Sequence, residues 1–164
     1  MNKVRNFCIG AGIIVLCMAV FLTITVLTKK PQPAIDFTAT LSDGSSFTLS
    51  DNYGKCGTVL IFIDPETEGS IDVLREVTAD KKDADIIAVS VSSLSKNEQL
   101  KLIGDSNSFD KLCFEGADIV KLYNIGNAPI TYFIDKNGLV QNGFVGNIKK
   151  ETIQKYISKI TETE

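Results

Sequence analysis

The stretch Gly57-Thr58-Val59-Leu60-Ile61-Phe62-Ile63-Asp64-Pro65 decides the fold. Val59 through Ile63 is an unbroken apolar run closed by Asp-Pro. A short run of this kind between turn residues reads as a strand covered on both faces. Helices do that covering, so the strand belongs at the centre of an α/β sheet. Its surroundings agree. Glu66-Thr67-Glu68-Gly69-Ser70 is a polar loop, and Glu68–Ala79 then carries Ile71, Leu74 and Val77 at i, i+3 and i+6, predicting a helix with those three facing inward. Ile86-Ile87-Ala88-Val89-Ser90-Val91 is a second buried strand.

Further from the centre the elements keep alternating. Asp36–Leu41 and Ser46–Leu49 flank Ser42-Asp43-Gly44-Ser45, and two β-rich runs around Asp-Gly predict a hairpin. Ser95-Lys96-Asn97-Glu98 is a capping box that opens a helix through Ile103. A short strand near Leu112–Phe114 leads to a helix over Ala117–Tyr123. Ile130–Asp135 is a strand, Lys136-Asn137-Gly138 turns it, and Leu139–Val145 returns. The last helix places Ile153, Tyr156, Ile157 and Ile160 on one face.

Asn127-Ala128-Pro129-Ile130-Thr131-Tyr132-Phe133-Ile134-Asp135-Lys136-Asn137-Gly138 resembles the X-Pro-Thr-x-Phe-Ile-Asp-x-x-Gly signature of thioredoxin-like proteins, especially the membrane-tethered TlpA/ResA and redoxin group. The hairpin and the Asp51-Asn52-Tyr53-Gly54-Lys55 stretch after it resemble the opening of that group. The likeness runs over residues 34–160. It implies an α/β thioredoxin-like sandwich, a central mixed sheet flanked by helices, with an N-terminal β-hairpin and one transmembrane helix before it. It also implies that Pro129 is cis and lies beside the Thr67–Ser70 loop, with Ala128 offering backbone groups to an extended peptide in a binding groove. A purely structural proline is the alternative for Pro129.

Thioredoxin-type chemistry needs a thiolate at a helix N-terminus and a second cysteine one turn later. Aligned on Phe62 and Pro65, the C-x-x-C of the relatives falls on Thr67 and Ser70; counted from the strand without that proline, it falls on Glu68 and Ile71. Neither alignment contains sulfur. A hydroxyl is far less acidic than a thiol, and the chain has no His to activate one, so Thr67 and Ser70 read as N-cap and first-turn residues. Asp64, Glu66 and Glu68 cluster in the same loop, either as a carboxylate or cation site or as acidic residues favoured near a helix start. The thiol candidates left in the domain are Cys56 and Cys113. They read as one disulfide or as two small buried residues, the latter preferred because nothing local brings them together.

The N-terminus is of another kind. Phe7–Leu27 contains no charge. At 1.5 Å per residue a helix of roughly 20 residues crosses a hydrocarbon core of ~30 Å. Its apolar run exceeds the ~7–15 residues of a signal peptide, and Val26-Leu27-Thr28 is a poor cleavage site. The expected organisation is a short segment 1–6, a transmembrane anchor 7–28, a stiff Pro-containing linker 29–35 and a thioredoxin-like domain 36–161. A cleaved signal is the rival. Lys3 and Arg5 before the run and Lys29 and Lys30 after it nearly tie the positive-inside comparison; the resemblance favours a domain outside the cytoplasm.

All 20 acidic residues lie beyond residue 30, against 13 of the 17 basic ones, leaving the domain near −7. That charge disfavours nucleic acid and anionic lipid as partners. The absence of His removes His triads and His metal ligands, and the cysteines, Cys8 and Cys17 in the apolar run included, have no zinc-ligand spacing. No cofactor and no metal are expected. Three readings stand: a membrane-anchored accessory module with a degenerate redox site, binding an envelope or secreted protein through the groove by Pro129; an active thiol-disulfide oxidoreductase or peroxidase using Cys113, with or without Cys56; or an anchored structural domain with no retained groove function.

Overall fold

The computed structural model describes residues 31–104, 109–114 and 116–162. The expected anchor 7–28 lies outside them; among the described residues no helix is long and apolar enough to cross a membrane. In chain order the elements are β1 (Gln32–Pro33), β2 (Thr38–Thr40), β3 (Ser46–Thr48), a 3-10 turn (Leu49–Asn52), β4 (Thr58–Ile63), α1 (Ser70–Ala79), β5 (Asp85–Ser90), α2 (Lys96–Ile103), β6 (Lys111–Cys113), α3 (Gly116–Leu122), β7 (Ile130–Ile134), β8 (Leu139–Val145) and α4 (Lys150–Thr161).

The main sheet has the order β1-β8-β7-β4-β5-β6. Strands β4, β5 and β6 run parallel, β7 is antiparallel to β4, and β8 is antiparallel to β7. Strand β4 is central, and all six of its residues are buried. Strand geometry sends alternate side chains to opposite faces. Val59, Ile61 and Ile63 accordingly meet Val73, Leu74 and Val77 of α1 and Ile153, Ile157 and Ile160 of α4. Leu60 and Phe62 meet Ile119 of α3 and the Phe37, Ala39 and Phe47 side chains of the hairpin region. The hairpin β2–β3 pairs Thr38 with Thr48 and Ala39 with Phe47, as the Asp-Gly turn predicts.

Two details differ from the sequence reading. Helix α1 begins at Ser70 rather than Glu68, and its buried residues are Ser70, Val73, Leu74 and Val77. Ile71 is half-buried. The reason is phase: at about 100° per residue, Ile71 and Val77 point about 120° apart and cannot share the centre of one face. The second difference is in the stretch read as a linker, where Gln32 and Pro33 pair with Val140 and Leu139 as an edge strand. A proline lacks the N–H that an inner strand needs and is tolerated at an edge.

Candidate functional site

Beyond Ile63 the backbone makes two consecutive turns before α1 begins. The Thr67 N–H donates to the Asp64 carbonyl at 2.9 Å, and the Ser70 N–H donates to the Thr67 carbonyl at 3.1 Å. The Asp64 side chain clamps the first turn. Its Oδ1 accepts from the Glu66 N–H at 3.1 Å and its Oδ2 from Thr67 Oγ1 at 3.0 Å. Ser70 is fully buried, and its Oγ accepts from the Asp64 N–H at 3.3 Å. Gly69 is the N-cap, with φ +80°, and a Cβ there would lie 2.6 Å from Asn147 Oδ1. Glycine is the residue that meets both demands, left-handed backbone and close approach. The N-cap role expected of Thr67 or Ser70 therefore falls to Gly69. Thr67 closes the preceding turn, and Ser70 is the first helical residue.

The three acidic residues do not converge. Asp64 is engaged within the loop, Glu66 Oε2 accepts from Ser92 Oγ at 3.1 Å, and Glu68 is exposed. Among the described residues no group of acidic or sulfur side chains is arranged to hold a metal ion.

The facing wall is the segment between α3 and β7. The Ala128–Pro129 peptide is cis, as expected. The Pro129 carbonyl accepts from the Gly146 N–H at 2.8 Å, which fixes the segment against the end of β8. Ala128 lies just before β7, and among the described residues its N–H and C=O make no hydrogen bond. A cavity of ≈ 410 Å³ separates the two walls. Asp64 and Thr67 line one side, Asn127 and Ala128 the other, with Val91, Val120 and Ile125 also in the lining. The structure thus brings Thr67 and Ala128 to one groove. Ser70 stays beneath it, and Glu68 and Ile71, the positions of the second alignment, do not line it. The apolar residues Val91, Val120 and Ile125 were missed from sequence, because each lies in a different segment and none has a local signature.

Among the described residues the one buried carboxylate is Asp135, 2% exposed. It accepts from the Asn137 and Leu139 amides at 2.9 and 3.0 Å in the β7–β8 turn, at the opposite end of the sheet. Among the described residues no buried carboxylate underlies Thr67 and Ser70.

The cysteines are elsewhere. Cys113 is fully buried in β6, within the apolar cluster that contains Phe47, Leu49 and Val89. Cys56 precedes β4 and lines a separate cavity of ≈ 200 Å³ with Lys55, Lys136 and Ile160. Burial, and then the Asp85 carboxylate, push its thiol pKa above the ordinary value. The two are not bonded to one another. Cys113 is in register with Val89, and Val89 with Phe62. Thr58 to Phe62 already spans about 13 Å of strand, well beyond the ~7 Å limit for a disulfide.

No family model matches the chain. Thiol-disulfide oxidoreductase ResA of Geobacillus kaustophilus is 29% identical over 164 aligned positions, 92% of this chain and 92% of that one. The chain has a thioredoxin-like fold and is similar to proteins of the TlpA/ResA type. ResA of Bacillus cereus is 32% identical over 79 residues, 48% of this chain, and the match spans only 42% of that relative. Among solved structures, a thioredoxin-family thiol:disulfide interchange protein from Chlorobium tepidum has a TM-score of 0.66 over 80% of this chain and 97% of that one, at 17% identity. At that identity the likeness shows the fold. The ResA relatives are named for thiol-disulfide chemistry; this chain has its cysteines at positions 8, 17, 56 and 113 and none in the 64–70 loop.

Proposed function

We propose that this chain is a membrane-anchored, outward-facing member of the TlpA/ResA type with a degenerate thiol site, and that it serves as a binding or accessory module for envelope or secreted proteins. The groove would hold an extended segment of the partner against the backbone of Ala128. One observation carries this reading. Ala128 lines the groove and, among the described residues, its N–H and C=O make no hydrogen bond, while the facing loop offers Thr67 and no thiol. Main-chain pairing with an added strand is a binding device that requires no thiol.

The loop chemistry supports the same reading. Thr67 takes the exposed position and Ser70, three residues on at the start of α1, the buried one, which favours the alignment that matches the C-x-x-C to this pair. The Thr67 hydroxyl donates to Asp64 and the Ser70 hydroxyl accepts from the backbone, so both maintain the turn. Disulfide exchange requires a sulfur nucleophile that can be reached. Cys113 has no exposed surface, and Cys56 has a raised pKa at the far end of the sheet.

The full chain in a non-ionic detergent, assayed with disulfide and hydroperoxide substrates, is expected to give no turnover. Thr67→Cys with Ser70→Cys is expected to form an internal disulfide and to gain exchange activity. Wild-type turnover that Cys113→Ala abolishes in a folded protein would establish the oxidoreductase or peroxidase reading instead.

A further inference from the structure

The composition of the groove specifies more than an extended chain. Val91, Val120 and Ile125 give it an apolar lining, and each is half-buried. Asp64 is the charged residue among those that line it. A purely apolar side chain would fit the aliphatic surface but would strip water from the carboxylate without compensation, which is unfavourable. A carboxylate accepts about four hydrogen bonds. Asp64 receives two from within the loop, one on each oxygen, so acceptor capacity is left for an incoming donor. No lysine or arginine of the described residues lines the groove to supply that donor. Lys121, next in sequence to Val120, lies on the exposed face of α3 with its Nζ 3.7 Å from Asp118. The neighbouring Glu66 and Glu68 have the same sign as Asp64 and oppose an acidic segment.

We infer that the groove selects a segment bearing a lysine or arginine, its aliphatic stem along Val91, Val120 and Ile125 and its cationic head on the Asp64 carboxylate. Long cationic side chains divide in this way, an apolar stem against apolar surface and a charged tip toward a polar group. The inference rests on the proposed binding role of the groove and adds the class of segment it takes. Strand pairing at Ala128 would supply orientation, and Asp64 would choose the side chain.

The test uses fluorescein-labelled peptides of one Gly/Ser/Ala host sequence with a single variable position: Lys, Arg, Leu or Glu. Binding to the full chain in non-ionic detergent is followed by anisotropy. The Lys and Arg peptides are expected to bind about tenfold more tightly than the Leu peptide, as a charge-assisted hydrogen bond would give, and the Glu peptide most weakly. Asp64→Asn is expected to bring Lys and Leu within about twofold of each other, since it removes the charge that distinguishes them. Should Asp64→Asn fail to fold, a salt titration of the wild type decides: the advantage of Lys over Leu must shrink as NaCl rises. Leu binding as tightly as Lys, or a Lys preference unchanged by Asp64→Asn or by salt, overturns the inference and leaves the groove as a binding site. No binding by any peptide of the series overturns both.

Discussion

Thr67 and Ser70 carry hydroxyl groups, and both hydroxyls are engaged in holding the loop. The Asp64–Thr67 contact and the Ser70 contact to the Asp64 amide close two turns that a thiol would bond only weakly. The remaining sulfur is badly placed for chemistry. Burial, and then the Asp85 carboxylate, raise the Cys56 pKa above the ordinary thiol value. Alkylation of the full chain by iodoacetamide, read site by site by mass spectrometry, should be slow at Cys56 at pH 7 and accelerate as pH rises past that value. Cys113 should react only after denaturation, because it has no exposed surface. Fast labelling of Cys113 in the folded protein would contradict the burial. At this scale the sequence was informative about type and silent about placement. The missing C-x-x-C was plain in the chain, but Asp64 read as one of three clustered acids, and only the fold reveals it as the clamp of a turn.

Elements were the most legible level, and for a physical reason. The β4 run, the Asp-Gly hairpin, the Ser95–Glu98 capping box and the last amphipathic helix each have local signals that tertiary packing reinforces. In the capping box, the Ser95 N–H donates to Glu98 Oε2 at 3.0 Å while the Glu98 N–H donates to Ser95 Oγ at 3.4 Å. The start of α1 was less legible, because it depends on a contact between residues far apart in sequence. Gly69 adopts φ +80° against the Asn147 side chain, and nothing near position 69 announces Asn147. Gly69→Ala should destabilise the folded domain by about 1–3 kcal/mol, combining a left-handed non-glycine backbone with the displacement of Asn147. Denaturant unfolding of the variant beside wild type measures this. An unchanged midpoint would mean that the loop can reach α1 by another backbone path.

For the described molecule, the order of elements and the two apolar cores produce a thioredoxin-like sheet in which the end of β4 faces the segment before β7. This meeting of distant segments was expected from the resemblance and not from any periodicity. The proposed anchor lies outside the described residues, and its test is topological. Protease added to intact cells expressing the full chain should digest the domain and leave a membrane-held fragment containing Phe7–Leu27. Complete protection would contradict an outward-facing domain, and a mature N-terminus near residue 28 would contradict the anchor. The central claim is that the groove binds an extended chain through Ala128 without thiol chemistry. Amide hydrogen exchange at Ala128, followed in the full chain with and without saturating lysine-containing peptide, tests it most directly. Exchange should slow on adding peptide, and equally so in wild type and in Cys56→Ala with Cys113→Ala. Exchange that the peptide leaves unchanged, or that slows only when the cysteines are present, would contradict it.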